Sequence, residues 1–297
     1  MMQPLQGSLV ALVTPMLEDG SLDFNALEAL IEWHIESGTN GIVSVGTTGE
    51  SATLSVSEHL KIINKTINFV NGRVPVIAGT GGNSTQEAIE LTQTAAELGA
   101  DYALLVTPYY NKPNQKGLIA HYEKIADSSQ IKQILYNVPM RTACDLLPES
   151  VEILSEHSNI VGIKEAVDDE QRIEELINIS NSCSGNFSIF SGDDPTFMNS
   201  LNIGAHGVIS VAANVIPKSI SKICQHIREN EKDAADALNL QNANLYRLLF
   251  VESNPIPVKW MLYKMGLIKE YIRLPLIELD ETFHDEIMSE LNKHRLI

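Results

Sequence analysis

Lys164 stands at the end of a short apolar run, "IVGI" at 160–163, and is followed at once by Glu165. Burial penalises an ammonium, so an amine at the tip of a buried strand gains access to its neutral, nucleophilic form. Such an amine can form a Schiff base with a carbonyl substrate. Taken alone, the residue also reads as a strand-end lysine whose head reaches into solvent. Other chemistry-bearing residues sit at comparable places. "GTTGES" at 46–51 sets Thr47 and Thr48 between glycines, a cradle of hydroxyls and backbone N–H groups for a carboxylate. It reads equally as a tight turn whose threonines cap the next helix. "YNVPMRT" offers a phenol, Tyr136, able to move a proton, and a guanidinium, Arg141, able to hold a carboxylate or to form a loop salt bridge. Tyr109 and Tyr110 in "TPYYN" suit packing or an interface. "SGDD" at 191–194 invites a metal reading. Adjacent carboxylates point in different directions and no third ligand is evident, so no metal is expected; Asp194 is expected near the start of the next helix.

Placing these groups together requires a scaffold, and the hydrophobic pattern supplies one. Eight short apolar runs read as buried strands: 8–13, 41–45, 74–79, 102–106, 131–136, 160–164, 187–191 and 207–211. Amphipathic stretches lie between them. One, at 23–38, ends at Gly38 as a helix stop; another opens at Ser84 or Thr85, carries Glu87 in its first turn and closes at Gly99. Eight strands each followed by a helix predict an α/β fold, a (β/α)8 TIM barrel, over 1–229. A doubly wound sheet would place a glycine-rich fingerprint after the first strand, and none is there. Residues 230–297 hold helical patterns with no strand between them, and are expected to form an all-helical C-terminal appendage. In such barrels the chemistry lies at the C-terminal ends of the strands, where Lys164, Tyr136, Thr47, Thr48 and Arg141 all fall.

Composition narrows the partners. The 38 acidic and 21 basic side chains give a formal charge of −17, which disfavours nucleic acid and anionic membrane. No apolar run is long enough to span a bilayer, and the opening residues lack a basic and then apolar leader, so a soluble cytoplasmic protein is expected. Three dispersed cysteines suit a reducing compartment and offer no disulfide framework or zinc spacing.

The chain resembles the dihydrodipicolinate synthase branch of the pyruvate-dependent class I aldolases over essentially its whole length. The likeness rests on "GTTGES", "TPYYNKP", "YNVPMRTACDL", "GIKEA", "FSGDD", "GVISVAANV" and "NPIPVKW". It implies that Lys164 forms the imine with pyruvate and that Thr47 and Thr48 hold the pyruvate carboxylate. Tyr136 becomes the general acid/base, linked through Thr48 to Tyr110, which in the family reaches in from a neighbouring subunit of a homodimer or homotetramer. Arg141 would hold the carboxylate of L-aspartate-4-semialdehyde, and Gly192, Asp193 and Ile209 match pocket-lining positions. No cofactor is implied. The likeness also implies an L-lysine effector site at Ser51, Ala52, His59, Asn83, Glu87 and Tyr109. Val56 departs from it, because lysine-sensitive bacterial relatives commonly have histidine there. Rival readings are a sugar-acid aldolase of the same superfamily, such as N-acetylneuraminate lyase, which usually lacks the arginine, a barrel that has lost its catalysis, and a metal-dependent barrel enzyme using "GDD".

Overall fold

A computed structural model of the chain describes residues 5–183 and 186–297. The opening segment read for a leader thus lies partly outside the described residues. All eight apolar runs form strands: β1 (Gly7–Ala11), β2 (Gly41–Ser44), β3 (Val76–Gly79), β4 (Tyr102–Val106), β5 (Lys132–Asn137), β6 (Ile160–Glu165), β7 (Ser188–Ser191) and β8 (Gly207–Ser210). They pair in parallel in chain order, and β8 returns to β1, closing a barrel without an edge. Helices α1 (Phe24–Glu36), α2 (Val56–Val70), α3 (Thr85–Leu98) and α4 (Gln115–Ser128) follow the first four strands. A single turn, α5 (Pro139–Thr142), precedes α6 (Pro148–Ser155), and α7 (Glu170–Ser182), α8 (Phe197–Ile203) and α9 (Pro217–Arg228) complete the ring.

Local signals set the helix limits. Ser55 begins α2 with a reciprocal capping box: its hydroxyl accepts from the Glu58 amide, and the Glu58 carboxylate accepts from the Ser55 amide. Ser84 caps α3, while the Thr85 hydroxyl is instead engaged with His121 at 2.9 Å. After α1 the chain turns at Gly38, whose φ of +85° explains why a glycine stands there.

Alternation along the strands divides the apolar residues into two layers. Leu9, Val43, Ile77, Leu104, Ile134, Phe190 and Ile209 fill the barrel interior. Val10, Ile42, Leu105, Leu135, Ile163 and Val208 face the helices in a larger outer core. Tyr136 shares the inner layer, and Lys164 has the inward parity because its neighbour Ile163 faces outward.

Beyond α9 come α10 (Lys232–Leu248), α11 (Ile256–Lys264) and α12 (His284–Lys293), the helical appendage expected from the pattern. Residues 256–262 of α11 are all buried, as in a core helix. Tyr246 of α10 meets Phe197 of α8 edge-on, with ring centroids 6.0 Å apart, and Trp260 stacks on His284 at 4.4 Å. Among the described residues no helix is long and apolar enough to cross a membrane.

Candidate active site

The strand ends meet at one mouth of the barrel, around a cavity of about 200 Å³. Tyr136 and Lys164 are register partners on β5 and β6, so their side chains enter it side by side. Lys164 is 5% exposed, and its Nζ lies 4.3 Å from the Tyr136 ring centroid, within cation–π reach. Gly192, after β7, leaves room for the lysine stem: a Cβ there would fall 2.9 Å from Lys164 Cε. A side chain at this position would crowd the stem that carries the amine.

Thr47 and Thr48 line the same cavity from the loop after β2. That loop begins at Val45, which adopts φ +50°, a strained conformation for a β-branched residue. Glu50 is also left-handed, at +58°. Thr48 is buried, and its Oγ1 accepts a hydrogen bond from Asn254 Nδ2 at 3.0 Å. Arg141, on the turn α5, lines the rim and donates from Nη2 to the Asn254 carbonyl at 3.3 Å. Asn254 thereby joins the hydroxyl loop to the guanidinium. Sequence reasoning did not assign it a role, because it lies among the C-terminal helices and 206 residues from Thr48. Val138, Val211 and Phe250 complete an apolar part of the wall and were likewise missed.

Asp193 lines the cavity; burial pushes its carboxyl up, against a 2.7 Å hydrogen bond from the Thr196 hydroxyl. Asp194 points away and is fully buried. It accepts from the Ser210 hydroxyl at 2.5 Å and from the amides of Val211 and Ala212 at 2.9 Å. It thus caps the turn after β8 rather than starting its own helix, since those amides lie within reach and α8 begins only at Phe197. Among the described residues neither aspartate belongs to a cluster of three potential metal ligands. Ile209 lies in the apolar interior, and the cavity wall there is formed instead by Val211, just past the end of β8. Tyr110 is 90% exposed, with φ +74°, and does not line the cavity of its own chain.

A second cavity, of about 310 Å³, adjoins the first and shares Thr47, Val138 and Arg141 with it. Ser51, Ala52, His59, Glu87 and Tyr109 line it, together with Val56. Asn83 stands beside them and donates to the Tyr109 carbonyl at 3.2 Å. Burial pushes the His59 imidazolium pKa down, and its Nε2 lies 2.7 Å from the Gly79 carbonyl, which fixes that nitrogen as the donor.

Chemically, the first cavity joins a buried amine to a phenol, paired hydroxyls and a rim guanidinium. Such a set can condense with a carbonyl compound and hold its carboxylates.

Comparison with known proteins points the same way. The family model described as "Dihydrodipicolinate synthetase family" matches residues 4–294. The chain is 51% identical to the 4-hydroxy-tetrahydrodipicolinate synthase of Nitrosococcus oceani over 98% of its length and 99% of the relative's. It is also similar to the chloride-inhibited dihydrodipicolinate synthase of Acinetobacter baumannii, solved with pyruvate. There the identity is 51%, the TM-score 0.95, and the coverage 99% of this chain and 100% of the other. The synthase of Cyanidioschyzon merolae, solved with lysine bound, shares 35% identity at a TM-score of 0.94, over 99% and 100% of the two chains.

Proposed function

Because this chain belongs to the dihydrodipicolinate synthetase family, we propose that it catalyses the 4-hydroxy-tetrahydrodipicolinate synthase reaction, joining pyruvate to L-aspartate-4-semialdehyde. The observation that carries the reading is the pairing of Lys164 with Tyr136 at the mouth of a closed barrel, with Arg141 on the rim.

Lys164 condenses with the pyruvate ketone and releases water. The protonated imine acts as an electron sink, so a methyl proton leaves and an enamine forms. The enamine carbon attacks the aldehyde, and the new alkoxide takes a proton. The substrate amine then attacks the imine carbon, closes the ring and frees Lys164. Tyr136, whose ring centroid lies 4.3 Å from Lys164 Nζ, is assigned the proton transfers at the imine. Thr47 and Thr48 hold the pyruvate carboxylate, and Arg141 holds that of the semialdehyde, with Gly192 and Asp193 shaping the wall. Because Asn254 donates to Thr48 Oγ1, the threonine's own proton is free to pass onward. The exposure of Tyr110 supports its delivery to the Thr48 of a second copy, which would make a homodimer the active unit.

The second cavity supports an L-lysine effector site. Glu87 offers a carboxylate to an ammonium there, and the shared wall residue Arg141 gives a route to the active cavity.

The test is a coupled assay with both substrates, dihydrodipicolinate reductase and NADPH. Condensation lost in Lys164→Ala supports the reaction and the lysine's role. If the folded protein shows neither turnover nor a pyruvate adduct after borohydride, the reading fails.

A further inference from the structure

Directly behind the reacting pair lies a second pair that no step of the reaction uses. Asn137 follows Tyr136 on β5, Glu165 follows Lys164 on β6, and the two are themselves register partners. Alternation turns Tyr136 and Lys164 into the cavity and therefore turns Asn137 and Glu165 outward, toward the layer of Leu135 and Ile163. Both are buried, Asn137 wholly and Glu165 to 1% exposure.

Asn137 uses both ends of its amide there. Its Nδ2 donates to both oxygens of Glu165 at 3.1 Å and to Asp145 Oδ1 at 2.8 Å. Its Oδ1 accepts from the Leu146 amide at 2.9 Å. Glu165 accepts in addition from the Val167 amide at 2.9 Å and faces Arg172 Nη1 at 3.6 Å. Arg172 holds Asp145 in a two-pronged contact, both bonds 2.8 Å. An amide whose nitrogen donates to carboxylates while its oxygen accepts from a backbone amide has one orientation.

Fold stability alone does not call for such a group. Buried ion networks are commonly replaced by apolar residues of similar size without loss of stability. Apart from Asp145, Arg172 and two backbone amides, the layer around the pair is apolar. What the network does fix is geometry: Asn137 and Glu165 tie β5 to β6 at the one level where Tyr136 and Lys164 must meet. Resting on the function proposed above, we infer that Asn137 and Glu165 are positioning residues that hold the Tyr136 phenol and the Lys164 amine in reacting register. Asp145 and Arg172 extend the brace to the segment following Arg141.

The experiment compares the full-length protein with Asn137→Ala, Glu165→Leu and the isosteric Glu165→Gln. Two readouts are taken on protein that circular dichroism shows to be folded. The first is kcat and the pyruvate KM in the coupled assay. The second is the [ε-13C]lysine NMR signal of Lys164, assigned by its loss in Lys164→Ala, whose ring-current shift is assigned with Tyr136→Leu. A 1 Å misplacement costs about a hundredfold in rate. Asn137→Ala and Glu165→Leu should therefore lower kcat by about that factor, with KM for pyruvate within about threefold. The Lys164 signal should lose its ring-current shift in both. Glu165→Gln, which keeps one acceptor, should fall by about tenfold and shift less. Should the larger replacements unfold, Glu165→Gln alone decides. A Lys164 signal that stays in place overturns the inference whatever the rate does. So does a signal that moves while kcat holds, because the position would then not matter. A wild-type protein without turnover would refute the proposed reaction, and the NMR comparison would still decide the brace.

Discussion

Glu50 and Lys259 lie 209 residues apart and form an ion pair whose side chains are 1% and 4% exposed. Glu50 ends the loop that carries Thr47 and Thr48, and Lys259 belongs to α11, so the C-terminal helices grip that loop from behind. Burial pushes the Lys259 ammonium pKa down while the Glu50 carboxylate opposes that shift. The Arg273 amide adds a 3.2 Å bond to Glu50, and its guanidinium clamps Glu58 at 2.6 and 2.9 Å. Lys259→Met strands a buried carboxylate and is expected to cost about 3–5 kcal/mol in urea unfolding. Adding Glu50→Leu should recover more than half of that loss. A single variant as stable as the parent would show that the pair does not hold the loop.

Glu165 makes stability depend on pH. Burial pushes its carboxyl up to about 7 from the ordinary 4.5, against hydrogen bonds from Asn137 and Val167 and the charge of Arg172. Between pH 4.5 and 7 the folded chain keeps a proton that the unfolded chain has released. Its contribution to stability therefore falls as pH rises through that window and is flat above it. Asp194, pushed by burial to about 6, acts with the same sign at lower pH. The stability difference between wild type and Glu165→Gln should change by up to about 3 kcal/mol from pH 5 to pH 8, in favour of the variant at high pH. Parallel curves from denaturant titrations at each pH would contradict this.

Removing the rim guanidinium should separate the two substrates. A hydrogen bond to a charged group contributes about 1.5–3 kcal/mol, so Arg141→Met should lower kcat/KM for the semialdehyde roughly 10- to 100-fold. Pyruvate should still be trapped on Lys164 by borohydride, at the wild-type rate, in intact-mass spectra. Equal losses for both substrates would place Arg141 in a general role.

L-Lysine is expected to lower the rate of the wild-type protein through the second cavity. Glu87→Gln, which removes the carboxylate facing that space, should weaken inhibition by about tenfold or more. Val56→His, which adds a polar ring to the wall, should strengthen it. A rate that stays constant in millimolar lysine, for the wild type and Val56→His alike, would dismiss the effector site.

The eight strands and their order were legible because burial on both faces writes a short, continuous apolar run for each strand. The runs erred mainly at their ends. β5 and β6 extend one residue past the apolar pattern, to Asn137 and Glu165, because these polar side chains satisfy each other behind the barrel wall. β3 begins two residues late, after the Val74–Pro75 pair, since proline brings no amide to the ladder.

The chemistry at the mouth was legible for a similar reason. Once a barrel is assigned, strand ends are known positions, and Lys164, Tyr136, Thr47, Thr48 and Arg141 fall on them. By itself, then, the sequence determined the order of the strands and that these five polar groups gather at one mouth. Only the tertiary structure decided how they are held: Asn254 between Thr48 and Arg141, Lys259 beneath Glu50, and Asn137 against Glu165. Such contacts join residues from distant or separate elements whose meeting depends on how helices and strands pack, and no periodicity along the chain records it.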